Sequence, residues 1–256
     1  MSEIVEHPEY NRDTNPYPSF GKKYNGEPAV ISLTSWKARI NTVSKTLYSL
    51  LTQCKNFHIV LVLSEEEFPK MCEELPENLM LFVENEMIEL MFVYKNYKSL
   101  KKWLFTQDKY RDVPIISADD DKTYIINYAQ ELYNVWEQNK DSLITIYFEQ
   151  LTKRTAGPST LYYPNCFGNN FNLFEELKTN KHLEIYKSAD DGFYEMLRGK
   201  YKNSNIICIK KNPFTEHDAN EPLVKIYGNN TFMSDLRKVQ NEDVNGNIFD
   251  FIGPDH

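Results

Sequence analysis

Ile115-Ile116-Ser117-Ala118-Asp119-Asp120-Asp121 passes from a short apolar run straight into three carboxylates. A run of this kind reads as the end of a buried strand. In extended backbone Asp119 and Asp121 point to one side and Asp120 to the other. Like charges this close repel, so the arrangement calls for a counter-cation. Mg²⁺ or Mn²⁺ suits it, because hard divalent ions take oxygen ligands and share them with substrate phosphates. The ligand pattern is then Asp-x-Asp, with Asp120 free to reach a ribose or sugar hydroxyl. The plainer alternative is an acidic loop that caps a helix beginning near Tyr124. Both readings stand at this point.

Upstream of this stretch, strand and helix patterns alternate. Ala29–Leu33 is a short apolar run, and Asn41–Leu51 carries Val43, Leu47, Leu50 and Leu51 at helical spacing. Phe57–Leu63 is the strongest strand, and Ser64 with Glu67 reads as a capping box that Pro69 keeps short. Glu89–Val93 predicts a third strand, Ser99–Tyr110 a helix and Val113–Ser117 a fourth strand. Downstream, Tyr124–Lys140 predicts a long helix and Leu143–Tyr147 a fifth strand. The pattern fades after that. Thr152–Asn170 is rich in Pro, Gly and Asn and reads as loop, Ala189–Arg198 as helix and Asn205–Ile209 as strand. The fold class is therefore α/β: a mostly parallel central sheet with helices on both faces and an irregular C-terminal part. The carboxyl ends of such strands share one edge, where ligands bind.

At 256 residues the chain suits one large domain. Four prolines up to Pro28 set off 1–28 as an extended N-terminal arm, which leaves 29–256 as a single domain with halves 29–147 and 148–256. With 17 Tyr, 15 Phe and 3 Trp there is ample surface to bury, so disorder is excluded as the main state. The net charge of −8 argues against a nonspecific grip on nucleic acid. Cys54, Cys72, Cys166 and Cys208 form no CxxC pair, which excludes a zinc ribbon and suits a reducing cytoplasm. No run reaches the ~20 apolar residues of a membrane span, and the first ten residues lack the order of a signal peptide. A P-loop, a GxGxxG after a strand, a GxSxG elbow and an HExxH helix are all missing from the sequence.

Other segments carry polar groups at places where chemistry is expected. Ser32-Leu33-Thr34-Ser35-Trp36, with Arg39 beyond, closes the first strand on the ligand edge. Its Thr34 and Ser35 hydroxyls would hold a base or ribose and Arg39 a phosphate; ordinary turn chemistry is the alternative. Lys98 and Lys102 share a helix face, and Lys101 lies three from Lys98; near the aspartates one of them would neutralise a diphosphate, or all form a solvated basic face. Ser188-Ala189-Asp190-Asp191 reads either as a helix cap or as a source of a general base. His217 would complete a metal site or lie idle in a polar loop. Tyr162 and Tyr163 would stack on a sugar if exposed and merely pack if buried.

Taken in order, these segments resemble glycosyltransferases of the GT-A fold, of the bacterial family-2-like kind that build capsules and lipopolysaccharide. Ile31–Ser35 with Arg39-Ile40 resembles the opening strand and donor-base loop, and Leu63–Pro69 the segment after the second strand. Tyr97–Lys102 resembles the lysine segment, Ile116–Asp121 the Asp-x-Asp strand end, Leu161–Pro164 the acceptor-side loop and Ala189–Asp191 the segment with the catalytic base. The similarity spans about Ala29 to Arg198. It implies a nucleotide-sugar-binding half at 29–147 and an acceptor-side half at 148–256. It implies a nucleotide-sugar donor, a UDP-sugar above all, held by Thr34, Ser35, Arg39, Lys98, Lys102, Asp119 and Asp120. Mn²⁺ or Mg²⁺ would sit on Asp119 and Asp121 with His217. Asp191, or Asp190 in its place, would take the acceptor's proton with inversion, and Tyr162 and Tyr163 would face a saccharide or lipid-linked acceptor. The expected location is the cytoplasm, at the inner face of the membrane where acceptors are lipid-linked. A non-catalytic carbohydrate- or nucleotide-binding domain and a nucleotidyltransferase are the rival readings. The latter usually has a glycine-rich loop after the first strand, whereas Thr34–Arg39 contains no glycine.

Overall fold

The computed structural model describes residues 17–52, 56–147, 159–168, 171–203, 205–211, 214–216 and 230–246. The expectations placed on 1–16, Cys54, the loop 148–158 and His217 lie outside the described residues. In chain order the elements are β1 (Ser19–Gly21), β2 (Val30–Thr34), α1 (Val43–Leu51), β3 (His58–Ser64), α2 (Glu77–Glu84), β4 (Glu89–Val93), α3 (Lys101–Lys109), β5 (Ile115–Ser117), β6 (Lys122–Tyr124), α4 (Tyr128–Glu137), β7 (Leu143–Tyr147), β8 (Thr160–Tyr162), α5 (Leu173–Thr179), α6 (Leu183–Tyr186), α7 (Asp190–Lys200), β9 (Ile206–Lys210), β10 (Phe214–Glu216) and α8 (Asn230–Asp243).

All seven residues of β3 are buried, as a strand covered on both faces must be. The two-residue period of the backbone divides them. Ile59, Leu61 and Leu63 enter one core with Ile31 and Leu33 of β2, Leu90 and Phe92 of β4 and Ile116 of β5. Val60 and Val62 enter the other with Val30, Met91, Val93 and Ile115. Helices α1, α2 and α4 cover the first face through Val43, Leu47, Leu79, Val83, Tyr128 and Leu132. Helices α3, α7 and α8 cover the second through Trp103, Leu104, Phe193, Leu197, Leu236 and Val239.

The large sheet has the order β1-β4-β3-β2-β5-β8-β7-β9. Strands β2, β3, β4 and β5 pair in parallel, and so do β7 and β9. β1 and β8 run antiparallel to their neighbours. The chain builds outward from β2 to β3 and β4, then returns to place β5 on the other side of β2. That reversal opens a crevice between the carboxyl ends of β2 and β5, the position where open α/β sheets bind ligands.

Several expectations change in three dimensions. Lys122–Tyr124 is not the start of the long helix. It pairs with β10 in a separate two-stranded ribbon, and Asn127 at φ 73° breaks the backbone before α4. Thr46 of α1 pins this ribbon by donating to the carbonyls of Asp120 (2.9 Å) and Lys122 (2.8 Å). Thr160–Tyr162, expected as loop, is a strand between β5 and β7, too short to show a period. Ser64 and Glu67 bond to each other at 3.2 Å in a turn, and the α-helix of that crossover forms later, at α2. In the arm, Ser19–Gly21 extends the sheet edge beyond β4. Gly21 is required there, because at φ 80° a Cβ would lie 2.5 Å from the Ile88 carbonyl oxygen.

At the amino end of the sheet a buried polar group joins these strands. Glu89, which opens β4, accepts from His58 Nε2 at 2.7 Å, from the Tyr110 hydroxyl and from Lys109 Nζ. Burial alone would raise the Glu89 pKa, but these partners win and hold it at about 2.

Candidate active site

The crossover geometry explains why Lys102 meets the acidic loop. The chain leaves β4 at the carboxyl edge, so α3 begins at that edge, where β5 ends. Lys102 lies in the first turn of α3. The Ser32 hydroxyl of β2 donates to its carbonyl and lies 2.7 Å from Thr106 Oγ1, fixing the helix start on the sheet. The Lys102 ammonium is then aimed at the strand ends. It donates to Asp119 Oδ1 at 2.7 Å and lies 2.7 Å from Asp190 Oδ2, with its side chain 4% exposed.

The three aspartates do not follow the expected strand alternation, because β5 ends at Ser117 and Asp120 and Asp121 lie in a turn, so that both reach Arg39 while Asp119 alone reaches Lys102. Asp119 goes to Lys102, and its backbone N–H donates to the Tyr124 hydroxyl at 2.8 Å. Asp120 turns the other way. It accepts from Ser35 Oγ at 2.6 Å and from Arg39 Nη1 at 2.8 Å, which closes the mouth of β2 onto that of β5. Asp121 Oδ2 lies 3.1 Å from the same Arg39 nitrogen. Its Oδ1 is sealed from solvent without a hydrogen bond, and Lys122 Nζ stands 3.7 Å away.

Charge decides the protonation tendencies. Burial works against the Lys102 cation, but Asp119, Asp190 and Asp191 together raise its pKa well above the ordinary value. Burial would raise Asp119, yet Lys102 pulls it down. Asp120 is raised, by burial first, against Arg39 and Ser35. Asp191 is raised well above the ordinary carboxylate value, by the surrounding protein first and then by Asp190, with Lys102 opposing. Its side chain is solvent-exposed. Asp119, Asp120, Asp121, Asp190 and Asp191 face Arg39, Lys102 and Lys122, so five carboxylates meet three cations.

That imbalance and the orphaned Asp121 Oδ1 fit a divalent cation. Among the described residues no three His, Cys, Asp or Glu side chains form a ready cage. The fit is therefore to an ion held by one or two carboxylates and completed by ligand oxygens, as Mg²⁺ and Mn²⁺ sites often are.

The helix-capping alternatives do not hold. Helix α4 starts at Tyr128 behind Asn127, away from Asp119–Asp121. Helix α7 starts behind Ala189, with no side-chain cap, and Ser188 Oγ instead accepts from Lys98 Nζ at 3.2 Å. Asp190 and Asp191 occupy the first turn of α7, where the helix dipole favours negative charge.

Other expected contacts are redirected. Thr34 donates to the Val62 carbonyl at 2.7 Å, inside the sheet. Arg39 neutralises the acidic loop rather than facing an open phosphate position, because two adjacent carboxylates converge on it. Lys101 is buried between Asn96 and Glu67, and Lys98 is joined to Ser188. Tyr162 is 1% exposed, so it offers no face for stacking on an acceptor. Tyr163 is half-buried and its hydroxyl accepts from Asn203 at 3.0 Å. Thr46 and Tyr124, which hold the acidic loop, carried no motif; their contacts exist only across elements.

No protein-family model and no curated protein matches the chain. Solved structures do. Residues 1–349 of Staphylococcus aureus TarS in complex with UDP superpose with a TM-score of 0.53 at 11% identity, over 84% of this chain and 64% of that one. Glucosyl-3-phosphoglycerate synthase from Mycobacterium tuberculosis, in complex with Mn²⁺, UDP and glucosyl-3-phosphoglycerate, gives 0.55 at 6% identity, over 89% of this chain and 88% of that one. The chain thus spans just under two thirds of the TarS fragment. At such identities the likeness is one of fold, and the fold is GT-A.

Proposed function

We propose that this protein transfers a sugar from a nucleotide-diphosphate donor to an acceptor hydroxyl. One observation carries the reading: at the crevice between β2 and β5, Lys102 joins Asp119 of the acidic strand end to Asp190 of the α7 start. A donor-side carboxylate and a base-side carboxylate thereby flank one cation. The UDP and Mn²⁺ in the M. tuberculosis synthase structure and the UDP-GlcNAc in a TarS structure favour a UDP-sugar and a divalent ion.

Asp119 and Asp121 would hold Mn²⁺ or Mg²⁺, which supplies Lewis-acid stabilisation of the departing diphosphate. Lys102 would add its charge on the same oxygens. Arg39 and Ser35 keep Asp120 and the strand end in place. Asp191 is solvent-exposed with a raised pKa, which suits a general base better than an ordinary carboxylate does. It would accept the acceptor's hydroxyl proton. The acceptor oxygen then bonds to the anomeric carbon as the bond to the phosphate oxygen breaks, and the nucleoside diphosphate leaves with that electron pair. Attack opposite the leaving group inverts the centre. A saccharide or lipid-linked saccharide is the acceptor we favour, which would place the work at the cytoplasmic face of a membrane. Among the described residues no helix is long and apolar enough to cross one.

The test is a thermal-shift and calorimetry panel of nucleoside diphosphates with and without Mn²⁺, followed by product analysis with the matching sugar nucleotide. A metal-dependent shift with one nucleotide and release of nucleoside diphosphate are expected. Release of pyrophosphate would favour nucleotidyl transfer, and binding without turnover a non-catalytic module.

A further inference from the structure

Two tyrosines beside the proposed base carry hydroxyls with no use in the described protein. Tyr162 ends β8, and Tyr194 lies one turn into α7. Both are buried, and neither hydroxyl has a hydrogen-bond partner among the described residues. An unpaired buried hydroxyl costs about 1–3 kcal/mol. Phenylalanine would fill either place without that cost, and packing needs only the rings. Those rings pack 5.2 Å from each other and 5.2 and 5.3 Å from Trp103.

Their placement gives the hydroxyls a reason. Tyr194 follows Asp190 by four residues and Asp191 by three, so it shares their side of α7. Trp103, on which both rings pack, directly follows Lys102. Burial first, then Asp190 and Asp191, push the Tyr194 hydroxyl pKa well up, so it stays a donor. Being sealed, the two hydroxyls cannot reach a substrate. They can act only on the group that Lys102, Asp190 and Asp191 form.

We propose that Tyr162 and Tyr194 are positioning residues, reserve hydrogen-bond donors that take over the Asp190 carboxylate when Lys102 turns toward a donor's diphosphate. The idea rests on the reading of Asp191 as base and of the crevice as a donor site. Lys102 now serves Asp119 and Asp190 at once. Oxygens arriving beside Asp119 compete for it, and Asp190, 13% exposed, would be left without its cation. A phenol O–H offered to a carboxylate makes a short, charge-assisted bond that offsets that loss. Asp190 then keeps its place, and so does Asp191 next to it.

The experiment compares Tyr162→Phe, Tyr194→Phe and the double variant, with Asp191→Asn as control. UDP with Mn²⁺ is the binding probe, and release of UDP from UDP-glucose and UDP-N-acetylglucosamine is the turnover assay. We expect a ligand-free Tm equal to or above that of the parent, a several-fold weaker Kd for UDP with Mn²⁺ because the new bonds form only in the donor-bound state, and a kcat at least tenfold lower in the double variant. A Tm several degrees lower would mean the hydroxyls are bonded structurally, and would overturn the proposal. Unchanged kcat in the double variant, with Asp191→Asn inactive, would overturn it while leaving the base in place. Full turnover by Asp191→Asn would remove the base assignment and this proposal with it.

Discussion

Lys102 and Asp190 come from opposite halves of the chain and meet at 2.7 Å, with the lysine side chain 4% exposed. The same ammonium bonds Asp119 at 2.7 Å. Lys102 is therefore both a structural bolt between α3 and α7 and the cation nearest the proposed reaction. Lys102→Met would leave two part-buried carboxylates, 30% and 13% exposed, without it. Leaving such part-buried groups without their partner costs about 1–3 kcal/mol. Denaturant unfolding should show a loss of that order, and donor turnover should fall by on the order of 100-fold or more. A stable, active variant would refute the placement.

Asp121 and Asp120 should separate by phenotype. Asp121 has an oxygen without a hydrogen bond, whereas both Asp120 oxygens are engaged by Ser35 and Arg39. Asp121→Asn should abolish the Mn²⁺-dependent part of a UDP thermal shift with little change in the ligand-free Tm. Asp120→Asn should lower the ligand-free stability by about 1–3 kcal/mol, because it weakens partners that are themselves buried. A Mn²⁺ response that survives in Asp121→Asn would exclude it as a ligand.

The pH dependence of turnover follows from Asp191. A base is inactive when protonated, and burial with Asp190 raises its pKa well above the ordinary carboxylate value. The acid limb of kcat/KM should therefore rise through a pH above that of a free aspartate. Lys102 opposes the shift, so a Lys102→Met protein with residual activity should show the limb moved to still higher pH. A limb at the value of a free aspartate would contradict the crowding of these carboxylates.

Acid stability should depend on Glu89. Its folded pKa is about 2 against an ordinary 4.5. A depressed pKa contributes stability above the unfolded value and loses it as pH falls toward the folded one. The difference corresponds to about 3 kcal/mol at 1.36 kcal/mol per unit. Stability measured from pH 5 down to about pH 2 should fall by roughly that amount. Glu89→Gln should be less stable at neutral pH and should have a flatter profile. Equal slopes for the two proteins would contradict the role of the His58–Glu89–Lys109 cluster.

Much was legible before any coordinates. Apolar runs placed β2, β3, β4, β5 and β7, because a strand buried on both faces must be apolar throughout. The acidic residues after β5 stood out because no core tolerates three carboxylates in a row. Alternation along the backbone did not carry through the acidic triplet, because a turn at Asp120 and Asp121 sends both to Arg39. Sequence alone thus determined a mostly parallel α/β sheet with an acidic edge. Its limits were those of local patterns. β8 is three residues long and β6 has a partner far along the chain, so neither shows a period of its own. The use of each polar group was decided only in three dimensions. Arg39 serves Asp120 and Asp121, Thr34 serves the sheet and Tyr162 is sealed, while Lys102 alone of its lysine cluster reaches both Asp119 and Asp190. Hydrogen bonds and ion pairs act over a few ångströms, and which groups come that close depends on crossovers that no stretch of sequence contains.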